Sequence, residues 1–303
     1  MTSREKILLI IAIVVLTTTT IIFSQTQGRS GATPTAAPEA PPAVTATIFP
    51  IYDIVRSIAG DAVAVNLILP PNAEPHTYEP SPQAVLSVAE TDVVYAVGHG
   101  IDNWVTTIAQ ANDVSLKVVD DGIAPLASEE EDADANFDPH YWLSAKNAKI
   151  IARTVAGDLE GRFPASASVF SHNLATFETL MDSTDAEVRA VLSPVTNRSL
   201  ATFHGAFRYF ADAYGLKIVA VFEPFPGREP SPKYLADLKR GVEAAGVRVI
   251  YGEPAFSTAA IKSFADDNDL TLGELDDLGG APGRESLAAT LLWNAHAIAE
   301  HQR

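Results

Sequence analysis

From about residue 46 onward, short apolar runs of strand length alternate with stretches of helical periodicity, and they do so in two separate series. No other feature of the chain narrows the fold as much. Strands joined through intervening helices are most simply crossover-connected, which makes neighbouring strands parallel and lays helices on the faces of the sheet. In the first series ATIFP (46–50) leads into the helical YDIVRSIAG, and AVAVNLIL (62–69) reads as a strand closed by Pro70 and Pro71. SPQAVLSVAE (81–90) reads as a helix with Ser81 at its N-cap and Pro82 at its first position. The strand-like DVVYAVG (92–98), the helical NWVTTIAQAN and the strand-like SLKVVD continue the pattern. The second series starts at SLATFHG (199–205) and runs through KIVAVFE, a helix over 231–245, VRVIYGE, a helix over 258–266 and LTLGELD, ending in a helix over 285–301.

Two helical stretches separate the series, 145–159 and 165–192. The second places Val169, Leu174, Phe177, Leu180, Met181, Val188 and Leu192 at roughly helical spacing. No proline interrupts it before Pro194, so about 28 residues can form one helix. The expected fold is therefore α/β with two lobes, each a parallel-rich sheet flanked by helices, joined by a long rigid linking helix. The boundaries are an N-terminal lobe over 46–164, the linking helix over 165–194 and a C-terminal lobe over 195–303.

Ahead of the first lobe, Arg4 and Lys6 precede the apolar stretch 7–23. A basic flank before an apolar run of that length reads as a secretory signal peptide or a signal anchor over residues 1–23. No clear small-residue cleavage site follows it, so an uncleaved anchor stays open. Residues 24–45, rich in Pro, Ala, Thr and Gly, have too little apolar surface to fold and read as a tether. The folded body is expected to work outside the cytoplasm. The acidic stretch 128–136, SEEEDADAN, reads as a solvated loop.

Composition excludes several kinds of chemistry. The chain has no cysteine, which rules out disulfides, thiolate metal sites and cysteine nucleophiles. Its formal charge of −17 argues against nucleic acid and anionic membrane surfaces as partners, since both need a basic patch. A transition-metal site would have to be built from His, Asp and Glu.

Three of the seven histidines stand after a strand or at the entry to a helix: His76 in PNAEPHTYEPSP, His140 in FDPHYWLS and His204 in TFHGAF. Asp276 stands likewise at the end of LTLGELD. Loops at the carboxyl ends of parallel strands converge on ligands, so these four residues, two from each lobe, would meet in the cleft between lobes. Three imidazoles and a carboxylate suit a tetrahedral divalent ion, the usual zinc arrangement. Four protein ligands leave no position for an activated water, and no H-E-x-x-H helix is present; both favour binding over catalysis. His172, His296 and His301 lie in expected helices facing solvent, whereas His99, at a strand end in VGHGID, could line the cleft.

At these residues the chain resembles the metal-binding solute-binding proteins of zinc and manganese ABC transporters. PHTYEPSPQ (75–83), DPHYWLSAKNA (138–148), TFHGAFRYFADAYGL (202–216), FEPFPGREPSP (222–232) and LDDLGG (275–280) look like family segments in family order. The resemblance implies that His76, His140, His204 and Asp276 hold the metal. Asp276 precedes Leu-Gly by two residues, as the family aspartate does, while the neighbouring Asp277 stands where many relatives have proline. Histidine at 204, where manganese-type relatives commonly have glutamate, implies zinc, because imidazole is the softer donor. Many zinc-type relatives carry a His-rich loop where this chain has SEEEDADAN. The implied role is a non-enzymatic, extracytoplasmic, monomeric protein that delivers Zn2+ to a cognate ABC permease. The alternatives are a manganese or iron receptor of the same family, a zinc hydrolase with Asp276 as base, and a surface adhesin.

Overall fold

The eight strands among the described residues form two four-stranded sheets, and every pairing within them is parallel. The structure is a computed structural model of the 303-residue chain, and it describes residues 42–128, 137–224 and 227–302. The signal or anchor reading of 1–23, most of the tether and nearly all of the acidic stretch lie outside the described residues. Among the described residues no helix is long and apolar enough to cross a membrane.

The first lobe runs β1 (Ala43–Ala46), α1 (Phe49–Ala59), β2 (Ala64–Leu67), α2 (Pro82–Val88), β3 (Val93–Ala96), α3 (Trp104–Ala111) and β4 (Ser115–Val118). Helices α4 (Ala145–Arg162) and α5 (Ala167–Leu192) follow. The second lobe runs β5 (Ser199–Thr202), α6 (Arg208–Tyr214), β6 (Lys217–Val221), α7 (Pro232–Ala244), β7 (Val249–Gly252), α8 (Thr258–Asp267), β8 (Thr271–Glu274) and α9 (Leu287–His301). Spatial orders are β2-β1-β3-β4 and β6-β5-β7-β8, the same winding twice. In each sheet the chain steps to one side first and then to the other. The loops leaving the two central strands therefore diverge and open a crevice at their carboxyl ends.

Local chemistry starts the helices where the sequence places them. Ser81, Ser231 and Ser286 each accept a hydrogen bond from the backbone N–H three residues on, at 3.2 Å in every case. Pro82 and Pro232 occupy the first helical position, where no N–H is needed. The long helix α5 buries Phe170, Phe177, Met181, Val188 and Leu192 and packs against α1, α4 and α9. At about 1.5–3 kcal/mol for each large apolar side chain taken from water, this stripe is a major tie between the lobes. One apolar core runs through both lobes as a result, from Val44 and Ile51 to Leu291 and Ile298. Polar links cross the same boundary: Leu287 N donates to the buried Asp53 Oδ2 at 2.9 Å, and Trp142 Nε1 donates to Asp277 O at 2.6 Å.

Two boundaries differ from expectation. β1 begins at Ala43, inside the stretch read as tether. It is a central strand of small residues, Val44 and Ala46 being fully covered and Thr45 hydrogen-bonded to Thr91, so it shows none of the alternation that marks a half-exposed strand. The long helix starts at Ala167 because Pro164–Ser166 forms a 3-10 turn that ends α4 and redirects the chain.

Candidate metal centre

Each of the three histidines is set by its own local device. His76 rides on the 3-10 turn Pro75–Thr77, whose cap is Glu74. Glu74 Oε1 accepts from His76 N at 3.0 Å and Oε2 accepts from Thr77 N at 2.8 Å, while Trp104 Nε1 donates to Pro75 O at 2.9 Å. His140 is held by Asp138, whose Oδ1 accepts from His140 N at 2.9 Å and lies 2.9 Å from the ring Nδ1. His204 leaves β5 in a turn where Thr202 Oγ1 donates to His204 O at 2.8 Å. Glu253, the first residue beyond β7, accepts from His204 N through Oε1 at 3.1 Å and places Oε2 2.7 Å from His204 Nδ1.

With His140 Nδ1 hydrogen-bonded to Asp138 and His204 Nδ1 in ion-pair contact with Glu253, their Nε2 atoms turn towards one point. His140 Nε2 lies 3.2 Å from His76 Nε2 and 3.3 Å from His204 Nε2. Two nitrogens bound tetrahedrally to one zinc at about 2.0–2.1 Å would stand roughly 3.3–3.4 Å apart, so the spacing suits a shared ion. His140 and His204 are buried and His76 is half-buried. Aromatic rings wall the site, Trp142 5.4 Å from the His140 ring and Phe256 5.0 Å from that of His204, centroid to centroid.

The expected carboxylate is placed differently. Asp276 Oδ1 accepts from Leu278 N at 3.0 Å and from Gly279 N at 2.8 Å, and its Oδ2 lies 3.2 Å from Arg284 Nε. The carboxylate is thus engaged in its own turn, and Asp276 is not in the histidine group. Asp277 forms a second buried group with His204 and Glu253, each offering an atom within 4.8 Å of the others. His99 also stands apart: it adopts φ +54° and pairs with Asp120 Oδ2 at 2.9 Å. His172, His296 and His301 are exposed helix residues, as expected.

The protonation of the site is uneven. For His204, burial pulls the imidazole pKa down, but the charge of Glu253 beside Nδ1, aided by Asp277 and Glu74, outweighs it and lifts the value to about 10. His76 goes the other way: burial, then the neighbouring His140 and His204, hold it well below 6.5. Asp277 is pushed well above the ordinary carboxyl range by burial and then by Glu253, although His204 opposes this. Glu74, Asp138 and Glu253 were not singled out in the sequence. The first two stand two residues before their histidines, and Glu253 obeys the same strand-end rule that selects His204.

The chain matches known proteins over this whole body. The family described as "Zinc-uptake complex component A periplasmic" matches residues 44–301. The zinc-binding lipoprotein AdcA of Streptococcus pneumoniae is 29% identical over 248 residues, covering 78% of this chain and 50% of the relative. The chain thus spans about half the length of the first curated relatives it matches. The manganese ABC transporter substrate-binding lipoprotein PsaA of the same species is 26% identical over 264 residues, covering 82% of this chain and 85% of that one. A crystal structure of ZnuA superimposes with a TM-score of 0.78 at 29% identity, covering 86% of this chain and 99% of that one.

Proposed function

This chain belongs to the zinc-uptake complex component A family, and from that premise and its three converging imidazoles we propose that it is an extracytoplasmic zinc receptor that delivers Zn2+ to an ABC importer. The observation that carries the reading is the Nε2 spacing of 3.2 and 3.3 Å around His140. His76, His140 and His204 are the ligands. Of the two aspartates, Asp277 is the better placed to complete the set, because Asp276 is held by two backbone N–H groups and faces Arg284. Three imidazoles select zinc over manganese, whose preferred donors are carboxylate and water oxygens. The body would act as a monomer, with a first lobe that starts at β1 (Ala43–Ala46), the helix Ala167–Leu192 as the linker and a second lobe that starts at β5. It binds rather than catalyses, and the cargo passes from the three imidazoles to a permease.

The similarity to a manganese receptor of comparable length motivates the second reading, manganese as cargo. Metal analysis of protein purified without added metal, followed by competition titration, separates the two. One zinc per chain is expected, lost in His140→Ala and His204→Ala. Manganese displacing zinc at equal concentration overturns the choice of ion, and absence of any bound metal overturns the receptor reading.

A further inference from the structure

All three histidines share a feature that metal ligation by itself does not require: a carboxylate accepts each one's backbone N–H. These are Glu74 for His76, Asp138 for His140 and Glu253 for His204. Only Asp138 and Glu253 also reach the ring Nδ1 of the same residue, at 2.9 and 2.7 Å. Glu74 and Asp138 are local, two residues before their histidines. Glu253 is 49 residues beyond His204 and is brought to it by the sheet, since β5 and β7 are neighbours in register at their carboxyl ends.

Glu253 is 2% exposed, and its carboxylate oxygens both face His204. A buried carboxylate is costly unless an opposite charge compensates it. The three imidazoles are neutral donors to a dication, and with Asp277 completing the set one positive charge still lacks a partner among the ligands. Each charge therefore meets the other's need, through the imidazole that lies between them. Carboxylates behind metal-bound imidazoles fix ring orientation and raise donor strength.

We propose that Glu253 is a positioning residue of the metal site, which aims His204 Nε2 at the ion and supplies, from behind the ring, the negative charge that the imidazole ligands lack. The inference rests on the zinc-receptor reading.

The test uses the full chain and Zn2+ as probe. Glu253→Gln keeps the volume and an oxygen for His204 N but removes the charge. Competition with a chromophoric chelator is expected to show zinc bound about 10- to 100-fold more weakly. The visible spectrum of the Co2+-loaded protein should shift, which a residue serving folding alone would not cause. Glu253→Asp, which retains the charge at greater distance, should fall between the two. Equal zinc affinity in wild type and Glu253→Gln overturns the proposal. If the glutamine variant does not fold, Glu253→Asp decides in its place: weaker zinc binding supports the proposal and wild-type affinity overturns it. Wild-type protein that takes up no zinc defeats the receptor reading instead, so the two failures are distinguishable.

Discussion

Against the pull of burial, Glu253 beside Nδ1 lifts the His204 imidazole to about 10, which favours its protonated form at neutral pH, so zinc seated at Nε2 would displace a proton. The folded His204 value of about 10 stands above the ordinary 6.5, so the contribution of its protonated form to metal-free stability is full below pH 6.5. That contribution is lost as pH rises through about 10. His76 has the opposite sign: lowered below 6.5, it favours the folded state above pH 6.5 and loses that contribution as pH falls. Binding is therefore expected to release protons even at pH 8, where ordinary imidazoles carry none, and to tighten by up to about tenfold per pH unit between 7 and 9. Calorimetry at pH 8 in buffers of different ionisation enthalpy checks this. About one proton per zinc is expected from His204, with any further release traced to Asp277 by its absence in Asp277→Asn; no release at all would refute the charged His204–Glu253 pair. At this scale the convergence of His76, His140 and His204 was legible, because their types and loop positions point to one place. That Asp276 caps its own turn was not, because the sequence does not say which of two adjacent carboxylates the backbone N–H groups engage.

Elements were read more securely than residues, wherever their local chemistry is self-sufficient. Ser81-Pro82 and Ser231-Pro232 start α2 and α7 as a serine cap and a first-turn proline require. β1 was misplaced because a central strand of small residues has no alternation to read. The turn after β8 depends on tertiary contact in the same way. Gly279 has φ +77°, and a Cβ there would run into Thr290 Oγ1 of α9 and stand 3.2 Å from Arg284 O. Gly279→Ala thus combines a left-handed backbone with a contact that cannot relax cheaply, and a cost of about 1–3 kcal/mol is expected from the backbone conformation alone. Thermal melts of the metal-free protein check it. A melting temperature within a degree of wild type would show that the turn does not have this geometry.

At the scale of the whole molecule, one tie between the lobes is built into the fold, and on the zinc-receptor reading a bound ion adds a second. The permanent tie is α5 with its buried stripe, which makes one apolar core of both lobes. It was legible as a long uninterrupted helical pattern. The meeting of His76, His140 and His204 was legible from their places at strand-end loops, whereas its closeness was not: they are separated by 64 residues at each step, and no spacing rule says that their Nε2 atoms approach to 3.2–3.3 Å. His76 and His140 come from segments associated with the first sheet and His204 from the second, so a bound ion is a cross-link between lobes already packed on one helix. Such a cross-link should act mainly on stability and little on shape. At a free zinc concentration 100 times the dissociation constant, binding to the folded state alone contributes about 2.7 kcal/mol. For a body of this size each kcal/mol moves the melting temperature by roughly 2–4 °C, so a rise of about 5–10 °C is expected. His140 stands at the centre of the three nitrogens, and His140→Ala should abolish the rise whatever it does to the metal-free melting temperature. A zinc-dependent rise of unchanged size in that variant would mean that the ion sits elsewhere, and with it would fall the view that metal and helix hold the same two lobes.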